Sequence, residues 1–271
     1  MANQTTLSPV LKAKLTHLKE CLNDFSNVCI AFSGGVDSTL LLKTAVEVLG
    51  KKVLPITVNG AMLPRSEFAE AQALANEIGV SPLVIEADVF ALENFVKNSS
   101  DRCYHCKKFI FTQIKKAAIE NGYNVILDGS NLDDMKDYRP GIRALGELGI
   151  YSPLKESGLK KQDIRDLSAY YGLPTAAKPA MACLATRIPT STRITPEALK
   201  AVEAGEDYLK SIGLSQYRLR LLGDTAKIEC APEDFNAIIE NRQTLVATLK
   251  NLGIKTVTLD LAGYGCGNMN G

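Results

Sequence analysis

Histidine is nearly absent from this chain: His17 and His105 are the only two in 271 residues. A zinc site of mixed cysteine and histidine ligands is therefore short of donors. Long apolar runs are missing too. No stretch approaches the ~18 residues that a membrane span requires, and the opening MANQTTLSPVLKAKLTHLKE lacks a signal-peptide core, so a cytoplasmic protein with no membrane partner is expected. Charge of either sign is not in excess. A net charge of +1 gives no global bias toward nucleic acid or membrane surfaces. Internal repeats and low-complexity tracts are lacking as well. What is present is enough length for a large core in one or two domains, and seven cysteines. In a cytosolic chain thiols are kept reduced, so these do not read as a disulfide framework.

Along the chain the apolar spacing alternates. Residues 7–22 read as an amphipathic helix, NVCIA (27–31) as a strand and LLLKTAVEVLG (40–50) as a helix closed by glycine. KVLPITV (52–58), PLVIEA (82–87) and NVILDG (124–129) follow as strands. SEFAEAQALANEIG (66–79), residues 105–121 and KKQDIRDLSAYYG (160–172) follow as helices. Strand and helix in turn predict an α/β fold with a doubly wound parallel sheet, whose ligands bind at the carboxyl ends of the strands. After residue 172 the pattern breaks in LPTAAKPAMACLATRIPTSTRITP. A helix (196–212), strands 217–222 and 225–230, a helix (232–252) and a strand (255–261) then predict a smaller C-terminal α+β domain.

Between the first strand and its helix stands SGGVDS, Ser33 to Ser38. Such a turn offers backbone N–H groups at the positive end of a helix, and Gly34 and Gly35 let a large anion approach that backbone closely. Ser33 and Ser38 add hydroxyl donors and Asp37 a carboxylate for Mg2+. The spacing matches neither the Walker pattern nor G-x-G-x-x-G. It resembles the phosphate loop of the PP-loop ATP pyrophosphatase family, S-G-G-x-D-S. That resemblance implies ATP held through Ser33, Gly34, Gly35, Val36, Asp37 and Ser38, attack of a substrate oxygen on the α-phosphate and release of pyrophosphate.

Two further patterns carry chemistry. DRCYHCKK places Cys103 and Cys106 in C-x-x-C spacing just ahead of a helix, suited to a shared metal, a cluster or a redox dithiol, and also compatible with two packed cysteines. Cys183 lies in KPAMACLATR, and three thiolates suit a 4Fe-4S cluster with one open iron. Cys21, Cys29, Cys230 and Cys266 read as structural or incidental. In LDGSNLDDMKDYRPG, Asp128, Asn131, Asp133 and Asp134 form either a Mg2+- or ribose-binding loop or a solvated acidic one, and Arg139 adds a fork-shaped donor. Thr57, on the strand predicted over 52–58, and Gly129, at the end of the strand predicted over 124–129, join the nucleotide-binding set. Arg218 and Arg220 lie two apart on YRLRLLG and share one face of a strand, as an anion grip or a solvent-facing pair.

Together SGGVDS, DRCYHCKK, LDGSNLDDMKDYRPG, KPAMACLATR and the tail LDLAGYGCGNMN resemble the LarE family, ATP-dependent sulfur transferases that mature the nickel-pincer nucleotide of lactate racemase. The resemblance runs in order across nearly the whole chain. It implies a PP-loop domain (1–175), a segment with the third cysteine (176–195) and a small domain for substrate binding or oligomerisation (196–271). It implies ATP, Mg2+ and a 4Fe-4S cluster on Cys103, Cys106 and Cys183. The implied substrate is pyridinium-3,5-biscarboxylic acid mononucleotide, gripped by Arg218 and Arg220, with Asp37 and Cys183 in catalytic roles. The expected partners are this nucleotide, a sulfide source and further copies of the chain in a homo-oligomer. Two positions depart from the family pattern: RIPTST replaces R-[FI]-P-Y-G, and GYG replaces G-Y-R. A tRNA thiolase also pairs such a loop with three cysteines, but it needs a basic surface that the near-neutral balance does not supply. An ammonia-using ligase has no need of C-x-x-C with Cys183. A nucleotide-binding redox regulator would release no pyrophosphate.

Overall fold

The computed structural model describes residues 7–135, 140–179 and 182–265. The chain divides into two compact units, the first made of Met1–Gly60, Arg65–Ala87 and Cys103–Met181, the second of Ala61–Pro64, Asp88–Arg102 and Ala182–Gly271.

In the first unit, helix α1 (Pro9–Asn23) starts where Ser8 Oγ accepts the Leu11 N–H at 3.2 Å and proline fills the first helical position. Leu11, Leu15, Leu18 and Leu22 recur at three- and four-residue steps and are all buried. They pack into one core with Val28 and Ile30 of strand β1 (Val28–Ala31) and with Leu40, Leu41, Leu42 and Ala45 of helix α2 (Val36–Leu49). Burial of each such leucine is worth about 1.5–3 kcal/mol. β1 pairs in parallel with β2 (Val53–Asn59) and β4 (Ile126–Leu127), and β3 (Leu83–Glu86) pairs in parallel with β2, giving the order β3-β2-β1-β4. The short apolar β1 is central and buried, as the strand of a parallel sheet covered by helices must be.

β4 is shorter than NVILDG predicts. The Tyr151 N–H donates to Ile126 O at 3.0 Å and the Asp128 N–H donates to Tyr151 O at 2.9 Å, so a passing segment satisfies the outer edge that a longer strand would leave open. Helices α3 (Arg65–Ile78), α5 (Arg102–Glu120), α6 (Pro140–Leu148), α7 (Pro153–Glu156) and α8 (Lys161–Tyr170) complete this unit, with α5 joining it from Cys103 onward. α5 starts earlier than the apolar spacing predicts, so Cys103 and Cys106 lie within its first turns and not ahead of it. No proline or glycine interrupts RCYHCKK, and the helix runs back to the polar punctuation of Ser99 and Asp101, whose side chains are bonded at 2.6 Å. The segment after α8 is pinned from two sides. Arg165 donates to the carbonyls of Ala176 and Lys178 at 2.6 and 3.0 Å. Burial alone would lower the pKa of Lys178, but hydrogen bonds to Glu67 and Glu70 hold it above the ordinary lysine value.

The second unit contains α4 (Glu93–Val96), α9 (Pro196–Ser211), β5 (Tyr217–Leu222), β6 (Thr225–Cys230), α10 (Phe235–Glu240), α11 (Arg242–Lys250) and β7 (Thr256–Leu259). β5 and β6 pair antiparallel and β6 and β7 parallel. The helix predicted over 232–252 is two, because Asn241 turns its amide back to Ala237 O at 2.9 Å and takes a non-helical backbone conformation. α9 packs closely on β5: a Cβ on Gly205 would lie 2.2 Å from Leu219 Cδ1. Between them is Arg187, fully buried, its guanidinium forked onto Glu206 at 2.7 and 3.1 Å, while Glu206 Oε1 also accepts the Leu219 N–H at 3.1 Å.

Breaking one side of that pair strands a buried charge. Arg187→Ala is expected to destabilise the protein by about 3–5 kcal/mol. The double change Arg187→Met with Glu206→Leu is expected to recover most of the loss, as read by urea unfolding of the two variants beside the wild type. Equal losses in the single and double variants would show that the pair itself contributes the stability.

Candidate nucleotide site and cysteine turn

The loop from Ser33 to Ser38 joins β1 to α2 at the carboxyl edge of the sheet, and its two glycines answer different demands. Gly34 has φ +71°, and a Cβ there would lie 2.8 Å from Ala71 Cβ and 2.9 Å from Ala71 Cα, so the fold itself requires glycine. Gly35, at φ −76°, would carry a Cβ that meets only Ser33 Oγ at 3.5 Å. Nothing in the protein forbids a side chain at Gly35, and an anion approaching the helix N-terminus does. Ser38 Oγ donates to Gly35 O at 3.2 Å and lies 3.2 Å from Ser33 Oγ. The Thr39 N–H donates to Gly35 O at 3.0 Å, opening α2. Val36 is buried behind the loop.

A second loop closes on the first. A Cβ on Gly129, just after β4, would lie 3.0 Å from the Ser38 backbone N and 3.3 Å from Asp37 Cβ. From that approach Asn131, buried, donates its amide to Asp37 Oδ1 at 3.1 Å. The loop is internally braced: the Asp133 N–H donates to Asn131 Oδ1 at 2.9 Å and the Asn131 N–H to Asp134 Oδ2 at 3.0 Å. Asp128 is buried, with Ser130 and Ser152 hydroxyls donating to its two oxygens at 2.5 and 2.6 Å. Thr57, on β2, is also buried, and its Oγ1 has no hydrogen-bond partner among the described residues. Arg139 lies outside the described residues.

Sequence spacing did not point to Lys161. Its ammonium donates to Asp37 Oδ2 at 2.5 Å and its backbone N–H to Asp133 Oδ2 at 2.9 Å. The only signal in the sequence is a lysine at the start of the helix predicted over 160–172, 124 residues beyond Asp37. Ser152 stands apart in the same way, 24 residues beyond Asp128, whereas Ser130 lies inside LDGSNLDDMKDYRPG, two residues from it. The loop glycines, the hydroxyls of Ser33 and Ser38 and the Asp37 carboxylate fit a polyphosphate accompanied by Mg2+.

Of the cysteines, Cys103 is exposed and Cys106 half-buried, three apart on α5 and so on one helical face, with His105 turned off it. Cys183, half-buried, caps a short 3-10 turn over Leu184–Arg187 in the second unit. That turn is held from several directions. Thr186 Oγ1 donates to Cys183 O at 2.7 Å, Arg187 donates to Ala182 O and Thr186 Oγ1 at 3.3 and 2.8 Å, and Arg102 donates to Ala185 O at 3.1 Å. Among the described residues no group of three or more His, Cys, Asp or Glu side chains is gathered to hold a metal ion. Burial pushes the Cys29 thiol up to about 12 and also raises Cys21 and Cys230, which keeps all three protonated near neutrality. Cys266 lies outside the described residues.

Arg218 and Arg220 share a face of β5 but differ in surroundings. Arg220 is buried, donating to Glu229 Oε2 at 3.1 Å and to Thr186 O at 3.0 Å. Arg218 is half-buried, donates to Tyr217 O at 2.7 Å and lies 5.1 Å over the Tyr264 ring. Burial, then the Arg187 cation, lowers its pKa from the ordinary guanidinium value.

A parallel sheet with a glycine loop of this kind at its carboxyl edge defines an ATP-using enzyme of the PP-loop class, and a model of the PP-loop domain matches residues 7–138. The chain is 39% identical over 263 residues to an uncharacterized protein of Synechocystis sp., covering 96% of this chain and 98% of that one. It is 35% identical over 261 residues to pyridinium-3,5-bisthiocarboxylic acid mononucleotide synthase of Lactiplantibacillus plantarum, covering 96% and 95%. An uncharacterized protein of Methanocaldococcus jannaschii is 31% identical over 258 residues, covering 94% and 98%. With such similarity along nearly the full length, the chain belongs to the LarE family. Its use of ATP with Mg2+ follows from the PP-loop domain, and no helix among the described residues is long and apolar enough to cross a membrane.

The two loop glycines should separate on substitution. Gly34→Ala is expected to destabilise the fold by about 2–4 kcal/mol, from left-handed backbone strain and overpacking on Ala71. Gly35→Ala is expected to leave unfolding within about 1 kcal/mol of wild type and to weaken ATP binding at least tenfold. Urea unfolding beside equilibrium dialysis with ATP checks both, and unimpaired ATP binding by Gly35→Ala would remove the anion reading of that glycine.

Proposed function

We propose that this protein is an ATP-dependent sulfur transferase acting on the carboxylates of pyridinium-3,5-biscarboxylic acid mononucleotide. The observation that carries the reading is 35% identity to the synthase of the bisthiocarboxylic acid product over nearly the whole of both chains. A substrate carboxylate oxygen attacks the α-phosphorus of ATP, the bond between the α- and β-phosphates breaks and pyrophosphate leaves. Sulfide then attacks the acyl carbon of the adenylate, AMP departs with the former carboxylate oxygen, and a thiocarboxylate remains. Backbone N–H groups at the start of α2 and the hydroxyls of Ser33 and Ser38 hold the polyphosphate. Asp37 holds Mg2+. Thr57, Asp128, Gly129 and Asn131 line or brace the nucleotide site.

Cys103, Cys106 and Cys183 are proposed as the sulfur-handling thiols. Their chemistry is that of a 4Fe-4S donor set, which when bound would supply an iron able to carry sulfide. The gathering of three donors that such a cluster needs is not found among the described residues, so the cluster enters no step here. Arg218 and Arg220 are proposed to grip the anionic substrate. The buried pairing of Arg220 with Glu229 and Thr186 O gives it a second task, bracing the cysteine turn.

Purified protein given ATP, Mg2+, sulfide and the dicarboxylate nucleotide is expected to form AMP and pyrophosphate with the thiocarboxylate. ADP in their place would overturn the adenylation chemistry. Asp37→Ala is expected to slow pyrophosphate release about 100- to 1,000-fold.

The two arginines should also differ. Arg218→Ala is expected to raise the KM for the dicarboxylate about 10- to 100-fold with ATP binding intact. Arg220→Ala is expected to lower the thermal midpoint as well, because it leaves the buried Glu229 with Lys227 alone, 2.9 Å away, and takes the donor from Thr186 O. An unchanged KM in Arg218→Ala would take that residue out of the substrate site.

A further inference from the structure

We propose that Lys161 is a nucleotide-binding residue that alternates between two anions: it neutralises Asp37 in the free enzyme and binds a phosphate oxygen in the complex with Mg2+ and ATP. This rests on the reading above that the chain uses ATP at Ser33 to Ser38, and assigns a part of that site that no sequence motif marks. Asp37 lies in the first turn of α2, at the end where the polyphosphate binds, and in the free protein its two oxygens face the Lys161 ammonium at 2.5 Å and the Asn131 amide at 3.1 Å. A carboxylate so occupied cannot give the same oxygen to Mg2+. One of the two cationic claims must yield when nucleotide arrives, and the lysine is the one built to move.

Its backbone is fixed, since the Lys161 N–H is bonded to Asp133 Oδ2 at the start of α8. Its side chain is one-third exposed and ends in a compact ammonium on a flexible stem. Asn131 is different: it is buried, and both its backbone N–H and its Oδ1 are engaged within its own loop, so it keeps Asp37 oriented while Lys161 leaves. The charge bookkeeping favours the exchange. Asp37 gives up a monovalent partner for a divalent one, and the ammonium passes to a ligand of higher negative charge than a single carboxylate.

The exchange predicts effects of opposite sign, which a merely structural role would not produce. Lys161→Met is expected to bind Mn2+ alone about fivefold more tightly than wild type, because Asp37 loses its competitor. The same variant should bind α,β-methylene ATP with Mg2+ about 10- to 100-fold more weakly. Free Mn2+ is read by electron paramagnetic resonance and nucleotide by equilibrium dialysis. Lys161→Arg should keep nucleotide affinity within a few-fold of wild type. The gain in Mn2+ affinity should vanish when Asp37→Asn is combined with Lys161→Met, and Lys160→Met, at an exposed neighbour, should change neither measurement. Unchanged nucleotide affinity in Lys161→Met, or Mn2+ and nucleotide weakened together, overturns the proposal. Failure of the wild-type protein to bind the nucleotide analogue would instead overturn the reading of the site on which it stands.

Discussion

The close approach of two backbones at the carboxyl edge of the parallel sheet is the constraint on which the site depends. At Gly34 the chain passes Ala71 at a distance that leaves no room for a Cβ, and a Cβ on Gly129, in the loop after β4, would lie 3.0 Å from the Ser38 nitrogen. Those two approaches set the start of α2 between β1 and β4, and only because the backbones are this close can the short side chain of Asn131 reach Asp37. Parallel strands point their carboxyl ends the same way, so loops distant in sequence meet there without any long connection. The buried β1 supplies the rigidity, with apolar side chains committed to a core shared with α1 and α2.

A difference in purpose between the two loop glycines sharpens the functional argument. Gly34 serves the protein, through its positive φ and its contact with Ala71. Gly35, the N-cap of α2, has ordinary backbone angles and open surroundings, so the fold would accept Ser, Thr, Asp or Asn there as caps, and what such side chains would obstruct is a ligand coming close to the helix N-terminus. The neighbouring hydroxyls of Ser33 and Ser38 are near enough to bond one another and to reorient toward a ligand at little cost.

The sheet, the order of its elements and the phosphate loop were legible because they rest on local information: apolar period, glycine placement, and hydroxyl and carboxylate spacing within six residues. The β5–β6 hairpin was legible to its boundaries for the same reason. What was not legible is pairing across the chain. Lys161 and Asp37 are ordinary residues until the fold brings them to 2.5 Å, and Ser152 gains meaning only by donating to Asp128. The start of α5 was misjudged because the cysteines read as a loop motif, whereas helix formation is decided by the nearest breaker, and none intervenes after Asp101. Asn241 shows the converse, a single polar side chain dividing a segment whose apolar period is continuous.

The second unit spends its buried charge on shape. Arg187 and Arg220 each pair with a buried glutamate, an arrangement that hydrophobic residues of similar volume could match or better in stability. What hydrophobic residues could not do is donate. Arg187 reaches Ala182 O and Thr186 Oγ1, and Arg220 reaches Thr186 O, so between them the two guanidiniums satisfy polar groups of a turn that has no sheet or long helix to satisfy them. The glutamates fix the guanidiniums, the guanidiniums fix the turn, and the turn fixes the backbone of Cys183. A cysteine meant only to fill space needs none of this, as Cys29 and Cys230 show by lying within strands with their thiols held protonated. The polar scaffolding around Cys183 therefore fixes its backbone more closely than the packing of a small apolar side chain requires.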